Sequence, residues 1–470
     1  MRSPAAPRSC GSYPALTVST RPAYRAGPGY PVRSGGIAPR CCHRPERHRM
    51  KIVFLLHNAY GIGGTIRTTL NLAAALAERH EVEIVSMMRH RGKPRFTLDP
   101  RVRLVPLVDT RPGGLDARDP LFAERTRDFP VHEKRNHQYN RLMDVRIARY
   151  LEGSDADVII GTRPGVNVYL ARFGPRKALR IAQEHLRYEA HSKKLRAELA
   201  PYYRELDAVV TTTEADAAVY RAKMPLPGAW TLAIPNSVPE PAAPPSEGTT
   251  PVIAAAGRLV RGKRFDLLID AFAEVSPKHP EWRLRIYGGG SQKDRLQERI
   301  EELGLTASAE LMGPYSPIEE EFAKASIVAV ASDAESFGMT IVEAMRCGVP
   351  VVSTDCPLGP AEIIEDGVTG RLIPVGDKQA MAQALRDLID DEPGRRAMAA
   401  AALESARMYD PEPIAMRYEQ LFEELASSRF ARKWERTRVR LRASYRRKVR
   451  RWKRAFRRRL PAAGGTSAKA

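Results

Sequence analysis

With 470 residues, 43% of them hydrophobic, the chain is longer than one hydrophobic core usually serves, so two globular domains are expected. No apolar run approaches the roughly 20 residues that span a bilayer, and the longest (52–56, 158–160 and 327–331) have the length of strands, which argues against a helical integral membrane protein. The net charge of +21 invites a nucleic-acid reading, but about +8 falls in residues 1–49 and about +17 in residues 427–470, leaving the body slightly acidic. Nucleic acid is therefore not the expected partner. The five cysteines, Cys10, Cys41, Cys42, Cys347 and Cys356, show neither zinc spacing nor a disulfide framework, which points to a reducing, cytosolic setting.

Residues 1–49 are rich in Pro, Gly, Ser and Arg and lack apolar periodicity, so they are expected to be a disordered extension. They read either as an Arg-rich targeting segment or as the product of an upstream start codon, because Met50 opens directly into a strand. From there short β-rich runs alternate with amphipathic stretches, the signature of parallel βα units. Strands are expected near 51–57, 82–87, 101–107, 157–161, 179–184 and 207–212, with helices near 66–79, 137–152 and 190–200. Residues 112–140 form a long, charged, irregular stretch suited either to acceptor recognition or to a tolerated insertion. Residues 235–251, dense in Pro, Ser and Gly, read as an interdomain linker. A second series follows, with strands near 252–256, 283–287, 327–331 and 349–353. The resulting division is an extension 1–49, a first α/β domain 50–235, a linker 236–250, a second α/β domain 251–408, an amphipathic helix 409–426 and a basic tail 427–470.

Three segments carry the chemistry. The first strand ends in His57, Asn58, Ala59, Tyr60, Gly61, Ile62, Gly63 and Gly64, ahead of a helix containing Arg67. Glycines at such a turn let the backbone approach an anion at a helix N-terminus. A dinucleotide site would also place an acid at the end of the second strand, where Ser86, Met87, Met88 and Arg89 stand instead. The second segment, 257–266, reads Gly-Arg-Leu-Val-Arg-Gly-Lys-Arg-Phe-Asp. It satisfies most of a phosphate-binding P-loop, but Arg264 replaces the hydroxyl that would hold Mg²⁺, so an NTPase is only a weak alternative. Arg258 and Lys263 can instead both reach phosphates, one as a planar fork and the other as a mobile point charge.

The strongest signal is the third, Glu335, Ser336, Phe337, Gly338, Met339, Thr340, Ile341, Val342 and Glu343, directly behind a strand. A helix starting near Gly338 would turn its free N–H groups towards a pyrophosphate. Glu343 would then stand about one and a half turns on, placed to accept both vicinal hydroxyls of a ribose. Glu335, before the turn, would sit nearer the sugar.

These segments resemble glycosyltransferase family 4. Residues 335–343 are similar to its spaced-glutamate motif, 257–266 to its Gly-Arg-Leu segment, and Gly63, Gly64 and Arg67 to its N-terminal glycine loop. Tyr287, Gly288, Gly289 and Gly290, then 347–352 and 367–372, extend the likeness over roughly 50–426. The resemblance implies a GT-B fold, two Rossmann-like domains facing a cleft, with the helix at 409–426 crossing back to the first domain. It implies a retaining transferase that moves a hexose from a UDP- or GDP-type sugar to a cell-envelope glycan, lipid-linked or polymer acceptor. By the same token Arg258 and Lys263 bind the donor phosphates, Glu343 the ribose, and the backbone of 336–340 with Gly288, Gly63 and Gly64 the rest of the donor. His185, after Gln183 and Glu184, matches the family's histidine beside the donor sugar, although His191 or a structural role for His185 would look similar in sequence. Retention by a front-face mechanism requires no fixed nucleophile. Neither a cofactor nor a metal is implied, since Arg258, Lys263 and the helix terminus take the cation's role.

Residues 429–459 hold seventeen Lys and Arg against the single Glu435. Trp434, Leu441, Tyr445, Val449, Trp452, Phe456 and Leu460 line one face of a helix there, a pattern suited to an anionic membrane interface. A peripheral enzyme on the inner face of the plasma membrane is the expectation, and a catalytically inactive GT-B protein binding membrane or nucleic acid is the alternative.

Overall fold

In the computed structural model, which describes residues 49–459, the apolar runs pair into two wholly parallel sheets. The first contains β1 (Lys51–Leu56), β2 (Glu81–Arg89), β3 (Val102–Asp109), β4 (Val158–Gly161), β5 (Leu179–Glu184), β6 (Ala208–Thr211) and β7 (Trp230–Ala233). Its order is β3-β2-β1-β4-β5-β6-β7. The second contains β8 (Val252–Ala256), β9 (Arg283–Tyr287), β10 (Ala309–Gly313), β11 (Ile327–Val330), β12 (Val351–Thr354) and β13 (Gly370–Ile373), ordered β10-β9-β8-β11-β12-β13. Helices cover both faces, so the central strands are apolar on both sides, as parallel sheets require. In each sheet the order reverses at its first strand, beside β1 and β4 and beside β8 and β11. Such reversals open a crevice at the carboxyl ends of the strands.

The strands read from the sequence lie within two residues of those observed. Helix starts differ more, because side chains set them. Asn140 accepts from Met143 N at 3.0 Å and begins the helix Arg141–Glu152, with a separate 3₁₀ turn at Asn136–Gln138 before it. Ser192 does the same for Lys193–Tyr203. The sequence reading did not place β7, β10 and β13, or the helix Pro164–Phe173. Eight of that helix's ten residues are buried, so it shows no polar face to betray its period.

Residues 112–140 are packed down rather than loose. Asp144, fully buried, accepts from the Thr126 hydroxyl at 2.6 Å and Arg127 N at 2.8 Å, and the Phe129 and Tyr139 rings stack 3.6 Å apart. The helix Pro411–Ser427 returns to the first sheet, where Ile414, Tyr418, Leu421, Phe422 and Leu425 join the core formed by Ile52, Phe54 and Leu76.

The basic segment is a helix, Arg429–Arg459. Its first turns are docked by arginines rather than by its aromatics. Arg432, buried, holds the buried Asp207 at 3.0 Å, and Arg436 donates to the Gly228 carbonyl at 2.9 Å. Across the helix Phe430 is 82% exposed, Trp434 64%, Leu441 64% and Tyr445 71%. The reading of residues 1–48 as an extension falls outside the described residues, as do Leu460 and the side chains of Trp452 and Phe456. Among the described residues no helix is long and apolar enough to cross a membrane.

Candidate active site

Two loops of the second half meet outside β8 and β11. After β8 the chain makes a 3₁₀ turn, Arg261–Lys263, and then Arg264 adopts a left-handed conformation (φ 50°) to start the helix Phe265–Val275. The turn is held by the loop after β9, where Leu259 N donates to the Gly289 carbonyl at 3.0 Å and Gln292 N to the Leu259 carbonyl at 3.0 Å. Gly288 has a structural reason to be glycine, since a Cβ there would lie 1.8 Å from the Gly257 carbonyl oxygen. Its contribution is thus to let two loops touch.

Beyond β11, Glu335 Oε1 accepts from Lys263 Nζ at 2.5 Å and from the Ser332 hydroxyl at 2.7 Å. Gly338 (φ 105°) caps the helix Met339–Arg346 with no side-chain bond to its first N–H groups. A side chain there would be strained by that φ and crowded by Ile341 Cδ1 at 3.0 Å. The helix starts where the sequence reading expects it, with unsatisfied N–H groups as an electrostatic seat for an anion. Phe337 is buried in the second core against Tyr409, so only its backbone faces the loop's chemistry. Met339 and Thr340 are half-buried in the first turn.

Glu343 is 7% exposed. Burial lifts its carboxyl to about 7, with the nearby charge of Glu319 adding to the rise and those of Arg67 and Lys263 opposing it. Lys263 therefore bonds one glutamate of the motif and is felt by the other. Arg258 is exposed and without an ion-pair or hydrogen-bond partner among the described residues.

The first half closes over these loops. Arg67 Nη1 reaches Glu343 Oε1 at 3.2 Å, and its Nη2 pairs with Glu319. The Thr212 hydroxyl donates to the Ser336 carbonyl at 2.8 Å, and Arg187 N to Ser336 Oγ at 3.4 Å. Glu362 accepts from Glu214 N at 2.9 Å and Ala215 N at 2.7 Å. Gly63 and Gly64 are exposed at the start of the helix Gly64–Leu76.

His185 stands apart from the Lys263–Glu335 pair. Its ring lines a narrow cavity with Thr68, Leu72, Asn236, Ser237 and Tyr418, where the two halves connect. Neither ring nitrogen has a partner at hydrogen-bonding geometry, though Asn236 is near enough to favour the proton slightly. Burial holds the ring neutral, down to about 4. His191, the other histidine weighed from sequence, is buried against Glu184 at 3.2 Å. The sequence reading assigned no role to Arg67, Glu319, Thr212, Arg135 or Arg163. The Arg67–Glu343 contact joins residues 276 positions apart, a separation over which local pattern carries no signal.

Residues 239–405 match the family described as glycosyl transferases group 1, so the second half carries a domain of that family. The chain is 36% identical over 391 residues to an exopolysaccharide phosphotransferase of Streptomyces coelicolor, covering 81% of this chain but only 41% of that protein's length. It is 32% identical over 169 residues to an amylovoran biosynthesis glycosyltransferase of Erwinia amylovora, covering 36% of this chain and 47% of that protein. Among solved structures, TarM of S. aureus, determined with Fondaparinux, alpha-GlcNAc-glycerol and UDP, superposes with a TM-score of 0.65 at 17% identity over 79% of this chain and 99% of its own. The two-sheet body is a GT-B fold.

Proposed function

We propose that this chain is a retaining glycosyltransferase of the family 4 type, moving a hexose from a UDP- or GDP-type sugar to a cell-envelope glycan, lipid-linked or polymer acceptor. One observation carries the reading: Lys263, both glutamates of the 335–343 motif and a helix N-terminus gather at one crevice. The helix start, Lys263 and Arg258 take the donor's diphosphate and stabilise the charge that grows on it as the glycosidic bond breaks. Glu343 grips the ribose, in place of its present contact with Arg67. Glu335, held by Lys263 and Ser332, faces the hexose. His185, its ring neutral and its two ring nitrogens buried, contributes from the connection between the halves by shaping the sugar pocket, with no proton transfer assigned to it. No metal or cofactor is invoked, because these cations and N–H groups meet the leaving group. The names of the relatives and the UDP held by the fold neighbour support an envelope polysaccharide setting and a UDP donor.

The tail belongs to the same reading. Its aromatic stripe faces away from the docked arginines and is flanked by basic residues, which suits peripheral attachment to an anionic inner membrane face. The test of the donor site is a thermal-shift screen of UDP, GDP and ADP sugars, since a ligand that binds only the native state raises the melting temperature. One nucleotide series should stabilise the protein, and Lys263→Ala and Glu343→Ala should each abolish the shift while leaving the unliganded protein folded. A shift that survives both substitutions removes the site.

A further inference from the structure

Glu343 holds a partner that its proposed ligand must remove. Among the described residues the only hydrogen bond to its carboxylate comes from Arg67 Nη1, at 3.2 Å. Arg67 belongs to the first half, in the opening turn of the helix Gly64–Leu76, and its other terminal nitrogen, Nη2, pairs with Glu319. One guanidinium thus answers two buried carboxylates, Glu319 at 6% and Glu343 at 7% exposure, with one nitrogen for each. Glu335 differs, because both of its donors, Lys263 and Ser332, belong to its own half.

The spacing of the two acids is set within the second half. Glu319 opens the short helix Glu319–Phe322, which Ile318 and Phe322 anchor in the core. Its carbonyl accepts from the Cys347 thiol at 3.5 Å, and Cys347 directly follows the helix Met339–Arg346 that carries Glu343. Glu319 Oε2 is buried and has no hydrogen-bond partner among the described residues. A carboxylate can accept a guanidinium through both oxygens at once, which adds energy and geometric specificity to a single contact. Glu319 uses one oxygen, so it has room for the whole fork. A ribose brings hydroxyl donors to Glu343 but no charge. The guanidinium it displaces would stand uncompensated in a partly desolvated cleft unless another acid took it up.

We infer that Glu319 is a positioning residue for the donor: it takes the whole Arg67 fork when the ribose hydroxyls claim Glu343, so that the exchange leaves no cation unpaired. This rests on the transferase reading, which supplies the ribose. Glu319 touches no part of the donor and acts only through Arg67. The test is calorimetric titration of UDP, with GDP in parallel, at pH 8, where Glu343 is largely ionised. Glu319→Gln keeps the side chain's shape and removes a buried charge, so the fold should hold. Arg67 is then left to Glu343 alone, and the nucleotide that binds the wild type should bind about tenfold more weakly, the scale of one charge-assisted contact. In an Arg67→Ala background the same substitution should change affinity by less than about twofold, because the competing cation is gone. The 2′,3′-dideoxy form of that nucleotide has no hydroxyls to offer Glu343 and should bind wild type and Glu319→Gln alike. Unchanged affinity in Glu319→Gln overturns the inference. A loss that persists without Arg67 overturns it in favour of a direct or structural role for Glu319, and a loss shared by the dideoxy nucleotide moves the effect away from the ribose. If neither UDP nor GDP binds the wild type, the transferase reading fails and the exchange falls with it.

Discussion

The two walls of the cleft handle charge in opposite ways. On the second-half wall the cation Lys263 is tied to Glu335 at 2.5 Å, and two buried carboxylates, Glu319 and Glu343, share Arg67. On the first-half wall Arg163 pairs with Glu133 at 2.6 Å, whereas the exposed Arg135 has no carboxylate at ion-pair distance among the described residues. A wall whose charges are already paired presents preset geometry to a ligand, and one with surplus positive charge selects by sign. The contrast teaches that two walls of one cleft can meet a ligand by different physics, the paired one by arrangement and the unpaired one by attraction.

Lys263→Ala should give the largest effect, a fall in turnover of about 10²–10³-fold, the scale for removing one preorganised donor to a developing anion. Steady-state kinetics with the stabilising nucleotide sugar measures it, and a loss below tenfold would mean the paired wall does not hold the leaving group. Arg67→Ala leaves Glu319 and Glu343 facing each other without their shared cation. Because Arg67 is partly exposed, the expected cost is about 2 kcal/mol, below that for breaking a fully buried pair. The melting temperature should drop further at pH 8 than at pH 6, since Glu343, with its carboxyl near 7, regains a proton as pH falls and relieves the repulsion.

The same titration sharpens the comparison through binding. If the ionised Glu343 accepts the ribose hydroxyls, donor affinity should weaken by up to about tenfold per unit as pH drops below 7, because the ionised fraction of the free protein falls at that rate. Glu343→Gln should flatten the profile, and a wild-type affinity constant from pH 8 to pH 5.5 would sink the ribose role. The smallest effect is expected from Arg432→Ala. Asp207 keeps Arg436 at 3.4 Å and Arg180 N at 2.9 Å, so losing the Arg432 contact should lower stability by only about 1 kcal/mol, the net scale of one hydrogen bond, with donor turnover unchanged. Loss of turnover in that variant would tie the tail to the chemistry.

The second-half wall was legible because its chemistry is local. Glu335, the turn at Gly338 and Glu343 lie on one short stretch behind a buried strand, so helix geometry alone places them. The first-half wall was not. Arg135 sits in a stretch that reads as charged and irregular, and its neighbours His57 and Arg163 come from the ends of separate strands. Arg67 was visible as part of a glycine loop, but its partners are brought to it only by the meeting of the two halves. Among the strands the same rule holds. β1 and β8 were plain because nearly every residue is buried, whereas β7 is a four-residue edge strand with every residue half-buried and Thr231 interrupting its apolar residues, directly before the Pro-rich linker.

The return of Pro411–Ser427 to the first sheet means that the chain passes between the halves twice. The passages run side by side, Val238 N donating to the Tyr409 carbonyl at 2.8 Å. Two adjacent threads act like a pair of pins: they fasten the jaws along one edge and restrict their relative movement more than a single linker would. A protease cut in either thread alone would leave both jaws attached, by a single pin and free to wobble.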